Sequence, residues 1–152
     1  MKITVLGGGL SPERDVSLKS ASLIANALLS RGHEVALVDL YDGIETSEPC
    51  ETFFRRGTVN PFSYTIPETE PDLDEIIRQH GGRKSWVGPR VIEMCKFADR
   101  VFLGLHGSHG RTCRSRLSWM HLISSIQAVI IWAVPSPWIR IFPNPLQGLQ
   151  DI

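Results

Sequence analysis

Three groups of residues in this chain have the types and the spacing to do chemistry. The first is Gly7-Gly8-Gly9-Leu10-Ser11-Pro12-Glu13, directly after a β-rich run. Glycines let a backbone approach a ligand closely, and a helix starting after them offers unpaired N–H groups to an anion. As a dinucleotide fingerprint the run is incomplete. The third glycine of G-x-G-x-x-G falls at Pro12, and Asp39 lies 30 residues past Gly9 instead of about 20. A tight strand-to-helix turn uses the same glycines. The second group is Glu13 and Ser17, four apart on one face of the expected helix near its start. A carboxylate there can accept a hydrogen bond from an ammonium group, and it can equally just complement the helix dipole. The third is His106-Gly107-Ser108-His109-Gly110, which follows another apolar run. A histidine after a strand sits where open α/β sheets bind ligands. Two histidines three apart suggest a metal only weakly, because no nearby Asp, Glu or Cys completes a ligand set. No metal is expected.

The elements that must position these residues are legible around them. Lys2 to Leu6 reads as a buried first strand. Ser11 reads as the cap of a helix with Pro12 in its first turn, and Val16, Ala21, Ile24, Ala25, Leu28 and Leu29 read as its apolar stripe. Arg31-Gly32-His33 stops that helix. Val35 to Leu40 reads as a second strand, which completes a βαβ unit with a right-handed crossover. Residues 41 to about 71 read as loop, Pro71 to Arg78 as a short helix, Pro89 to Phe97 as another helix, and Arg100 to Leu105 as a third strand. The expected fold class is α/β, with a Rossmann-like open parallel sheet whose sites lie at the carboxyl ends of its strands.

Composition divides the chain. Of 152 residues, 16 are Lys or Arg and 16 are Asp or Glu, so the net charge is zero. That balance argues against a nucleic-acid partner, which needs a basic surplus. Residues 1–110 carry −3 and residues 111–152 carry +3, and the second part holds three of the four Trp but one of the 13 Gly. The first part reads as an incomplete domain and the second as a divergent tail. No apolar run reaches the roughly 20 residues that span a bilayer. The three widely spaced cysteines suggest neither zinc nor a disulfide framework. No secretory leader pattern opens the chain, and a cytoplasmic location is expected.

Taken together, Lys2–Gly9, the block L-S-P-E-R-D-V-S-L at 10–18, His33–Leu40 and A-D-R-V-F-L-G-L-H-G-S-H-G at 98–110 resemble the N-terminal, pre-ATP-grasp domain of D-alanine–D-alanine ligases, as does Y-T-I-P-E-T-E-P-D at 64–72. The resemblance covers residues 1 to about 110. It implies an ATP- and magnesium-dependent joining of two D-alanines for peptidoglycan, and a possible homodimer. By this likeness Glu13 orients the amine of the first D-alanine, Val16 lines its pocket and Ser17 holds the first turn. His106 and Gly107 lie beside that ligand. The nucleotide-binding portion of such ligases is not matched, so this chain is expected to be inactive alone and to bind ATP and magnesium poorly. The alternative readings are a small Rossmann-like nucleotide-binding module using Gly7–Gly9 and Asp39, and a non-functional fragment.

The likeness stops at the charge seam. The family continues with E-D-G or E-N-G, whereas this chain has Arg111-Thr112-Cys113-Arg114. Pro137 to Phe142 can be encoded CCA-TGG-ATA-AGG-ATA-TTT; dropping two bases gives Met-Asp-Lys-Asp-Ile, a phrase of these ligases. The same shift over Ile131 to Pro135 gives Tyr-Leu-Gly-Ser-Ala. Residues from about 111 onward therefore read as an out-of-frame, irregular tail. The tail is expected to lack the helix and strand that finish the domain. Leu117 to Ile126 can collapse as a helix on the sheet, and Trp132, Trp138 and Phe142 are expected to leave an exposed apolar patch.

Overall fold

A computed structural model describes residues 1–57, 60–106, 129–132 and 140–142. Its first strand is β1 (Lys2–Gly7), a run of β-branched and apolar residues buried on both faces. The chain leaves β1 through the glycines and enters α1 (Arg14–Ser30). It returns through β2 (Glu34–Asp39), parallel to β1 with Lys2 opposite Glu34 and Gly7 opposite Asp39. A long connection follows, carrying a 3₁₀ turn at Cys50–Phe53 and the short helices α2 (Leu73–Gln79) and α3 (Val91–Phe97). It delivers β3 (Arg100–Leu103) to the other side of β1, again parallel.

The period of two along the strands sorts the core into two layers. Ile3, Val5 and Val35 face α1 and pack on Ala21, Ala25 and Leu29. Leu6, Ala36, Val38, Val101 and Leu103 face the opposite way and pack on Val91, Met94 and Cys95 of α3. Each fully buried Val, Leu, Ile or Met among them contributes roughly 1.5–3 kcal/mol before the entropy of ordering is counted. Thr4, the polar member of that second face, donates its hydroxyl to the Met94 carbonyl at 3.2 Å, so no buried polar group is left open there.

The sheet is larger than the sequence suggests. β4 (Val129–Trp132) lies parallel to β3, and β5 (Arg140–Phe142) pairs antiparallel with β4, giving the order β2-β1-β3-β4-β5. The expectation that the tail supplies no strand is thus corrected. Val129 to Trp132 is a short run of β-formers, and the open edge of β3 offers it a hydrogen-bonding ladder that composition does not display. The helix expected within 117–126 lies outside the described residues.

Two expectations about α1 are also corrected. Ser11 does not cap it. Its carbonyl accepts the Arg14 N–H at 3.0 Å, so Ser11 and Pro12 form a turn that precedes the helix, and Glu13 occupies the cap position without a side-chain cap bond. Val16 is not part of the buried stripe and is 45% exposed. It stands nine residues before Ala25, and 3.6 residues per turn place those two on opposite faces. The helix ends as expected. Gly32, at φ +80°, donates to Leu29 and His33 donates to Leu28, which satisfies the last carbonyls in a Schellman arrangement. No described helix is long and apolar enough to cross a membrane.

Glycine is required differently at the two ends of α1. A Cβ at Gly8, where φ is +68°, would stand 1.7 Å from Asp39 Oδ2, whereas one at Gly32 would meet nothing within 4 Å. Gly32→Ala is expected to cost about 1 kcal/mol for the left-handed backbone alone. Gly8→Ala is expected to cost about 3 kcal/mol or more, because strain and a displaced buried carboxylate add to it. Urea midpoints of the two variants check the order.

Candidate functional site

The carboxyl ends of β1 and β3 and the first turns of α1 meet at one hydroxyl. Ser17 is fully buried. Its Oγ accepts the Gly8 N–H at 2.9 Å and donates to the Gly104 carbonyl at 2.8 Å. Gly104 in turn donates to the Leu6 carbonyl at 2.8 Å. A Cβ at Gly7 would stand 2.6 Å from Ala21 Cβ, so glycine at that position lets α1 lie close on the sheet. Glu13 stands one turn before Ser17, and its carbonyl accepts the Ser17 N–H at 3.0 Å. His106 follows Gly104 by two residues and is half-buried. The tie through Ser17 therefore anchors both segments, the one bearing Glu13 and the one bearing His106, to the same rim of the sheet. Val16 is exposed on that rim, while Gly107 and His109 lie outside the described residues.

A second tie was not legible as such in the sequence. Arg14 is buried, and its Nη2 lies 3.1 Å from Asp39 Oδ2 and 2.5 Å from Asp42 Oδ2. Burial works against the Arg14 charge, but Asp39 and Asp42 outweigh it and raise its pKa. Burial raises the Asp39 carboxyl, with Arg14 pulling the other way. Asp39 Oδ1 also accepts the N–H groups of Tyr41 and Asp42 at 2.8 and 3.0 Å. That carboxylate sits over Gly8, where a phosphate on a glycine loop would have to come. The Gly8 N–H is taken by Ser17, and Gly9 N–H points to Asp39 Oδ1 at 3.4 Å. The described residues thus do not fit a nucleotide pyrophosphate at this loop. Nor do three His, Cys, Asp or Glu side chains gather among them to hold a metal.

A strap from the long connection crosses α1. Asn26 grips the Phe62 backbone with both ends of its amide, donating to the carbonyl at 2.7 Å and accepting the N–H at 3.2 Å. Two residues on, the Tyr64 hydroxyl donates to the buried Asp15 carboxylate. Sequence reading missed Asp15, Asn26, Asp42 and the Arg14–Asp39 pair. The available signal was a run of charge, Glu13-Arg14-Asp15, at the entry of an otherwise apolar helix.

An open α/β sheet whose strand ends and first helix turn converge on one rim is the architecture of a Rossmann-like ligand-binding domain. The comparisons with known proteins narrow this class. No family model matches the chain. It is 39% identical over 115 residues to the D-alanine–D-alanine ligase of Pediococcus pentosaceus, and 36% identical over 113 residues to that of Lacticaseibacillus casei. Each match covers 72% of this chain and about a third of the relative, 32% and 31% respectively. A shorter match, 58% identical over 40 residues, joins it to the D-alanine–D-alanine ligase of Moorella thermoacetica. Over its matching stretch the chain belongs to the D-alanine–D-alanine ligase family, and it spans about a third of the length of those curated relatives.

Two outcomes test this geometry. Ser17→Ala leaves the Gly8 N–H and the Gly104 carbonyl buried without a partner. It is expected to cost about 2 kcal/mol or more, against about 0.5 kcal/mol for the exposed Ser30→Ala, in matched denaturant titrations. Tyr64 has its pKa raised to about 12 by burial and by its bond to Asp15. The folded value lies above the unfolded one, so the stabilisation is complete below the unfolded value near 10 and is lost as pH rises through about 12. In alkaline phenolate absorbance Tyr64 is expected to ionise late, and Asp15→Asn is expected to bring that ionisation to lower pH.

Proposed function

We propose that this chain provides the first-amino-acid half of a D-alanine–D-alanine ligase site, serving the ATP-dependent joining of two D-alanines for peptidoglycan. The observation that carries the reading is the Ser17 tie, which holds the turn bearing Glu13 and the strand end bearing His106 to one rim. A free amino acid is a zwitterion. The Glu13 carboxylate suits its ammonium, and the N–H groups of the α1 first turn, which no side chain caps, suit its carboxylate. Val16 is placed on the exposed side of that turn, where a small apolar side chain such as a methyl group would lie. His106 is assigned to the same ligand, and so, by the family likeness, is Gly107, which lies outside the described residues.

ATP and magnesium belong to the family's reaction, and nothing in the Gly7–Gly9 turn or its neighbours suits them. These 152 residues alone are proposed to bind one amino acid without joining two. Residues from about 111 onward are proposed to be out-of-frame sequence, which the coding DNA decides: its alternate frame should encode the Tyr-Leu-Gly-Ser and Met-Asp-Lys phrases. The rival reading, a nucleotide-binding module on Gly7–Gly9 and Asp39, has the Asp39 carboxylate locked against the loop it would need open.

Titration calorimetry with separate ligands tests the assignment. D-alanine is expected to bind weakly, with Glu13→Gln reducing affinity at least tenfold. Adenine nucleotide binding without D-alanine binding would overturn it in favour of the nucleotide module, and silence with both would favour a fragment without a ligand.

A further inference from the structure

Helix α2 buries none of its residues. It is held at its C-terminal end, where the chain turns through His80-Gly81-Gly82-Arg83. Asp72 caps its start by accepting the Glu75 N–H at 3.0 Å, and Arg78 pairs with Glu75 at 2.6 Å. The contacts of this C-terminal turn go to the turn after β2. The Arg83 guanidinium lies 4.6 Å from the Tyr41 ring centre and donates to the Tyr41 carbonyl, and the Tyr41 hydroxyl donates to the Arg83 carbonyl at 3.0 Å. The His80 ring meets the Tyr41 ring edge-on at 5.4 Å.

The His80 imidazole stands between two oxygens. Its Nδ1 is 2.9 Å from the Ile76 carbonyl and its Nε2 is 3.4 Å from Asp42 Oδ1. That carboxylate oxygen is shielded from solvent and accepts no hydrogen bond within the described residues. Either neutral tautomer carries one N–H and one lone pair, so either one turns a lone pair toward an oxygen. Only the imidazolium donates in both directions. We propose that His80 is a proton-operated clamp that docks the C-terminal turn of α2 onto Asp42, and through Asp42 onto Arg14 at the entry of α1.

The charged groups around the ring give the sign. Asp42 faces it directly. Behind Asp42 stands Arg14, which also engages Asp39, and Arg83 lies over the ring of Tyr41, to which His80 also packs. Arg14 and Arg83 oppose a further positive charge, while Asp39 and Asp42 favour it. Asp42 is the one within ion-pair distance, so protonation tightens the contact. The clamp closes when the ring takes its second proton and releases when that proton leaves. Because Asp42 also binds Arg14, release loosens the support of the helix turn that carries Glu13. The clamp does not depend on which ligand that turn binds.

Hydrogen exchange and nitrogen NMR on the whole chain test this. The amides of His80, Gly81 and Gly82 donate to Ile76, Arg78 and Ile77, and so report the turn. Corrected for intrinsic rates, their protection is expected to be about threefold greater at pH near 5.5 than near 8, the scale of a partly exposed ion pair. Both His80 ring nitrogens are expected to carry protons in the protected form. Asp42→Asn is expected to abolish the pH dependence. Equal protection at the two pH values, or a dependence that survives Asp42→Asn, would overturn the proposal. If that variant does not fold, the pH series on the unaltered chain decides by itself.

Discussion

One buried hydroxyl holds the working rim together. Ser17 takes a hydrogen bond from the loop leaving β1 and gives one to the end of β3, so three segments share a single oxygen. Both backbone groups lie where water does not reach, and each must find a partner inside the protein. No apolar residue of similar size meets that demand. The position of the α1 first turn relative to the sheet follows from it, and so does everything carried on that turn.

Charge enforces the same geometry from the other side. Arg14, Asp39 and Asp42 sit together at the junction of α1 and the turn after β2, and removing Arg14 leaves both carboxylates without their cation. Gly8 belongs to this arrangement through what it lacks, since a Cβ there would occupy the position of the Asp39 carboxylate. The glycine turn is therefore shaped to admit a carboxylate of the protein itself. This explains why a glycine-rich strand-to-helix turn in this chain is poor evidence for a nucleotide. On the rim, the half-buried Glu13 and the exposed Val16 stand on the turn that this junction supports.

Much of the fold was legible because each part rests on local chemistry. Lys2 to Gly7 and Glu34 to Asp39 are short β-branched runs that can only be buried strands, Gly32 marks a helix end, and Asp72 marks a helix start. The first turn of α1 was misread at Ser11, because a turn stabilised by Pro12 and a helix cap share the same residues. Val16 was misread because the apolar stripe of a helix is defined only once the sheet beneath it fixes which face points down. The strand Val129–Trp132 was missed because it takes hydrogen bonds from β3, 29 residues earlier in sequence.

The sequence by itself determined the βαβ beginning, the parallel α/β class and the residues from which a ligand site at the strand ends could be drawn. These depend on periodicity and on turn residues, which act over a few positions. Tertiary structure decided which of those residues meet. The Ser17 bridge, the Arg14–Asp39–Asp42 junction, the Tyr64–Asp15 strap and the His80 contact all join positions 9 to 87 residues apart, at least in part. Directional bonds between distant side chains exist only after the hydrophobic layers have set the distances. Hydrophobic pattern is written along the chain, whereas hydrogen-bond partnership is settled by the packed fold.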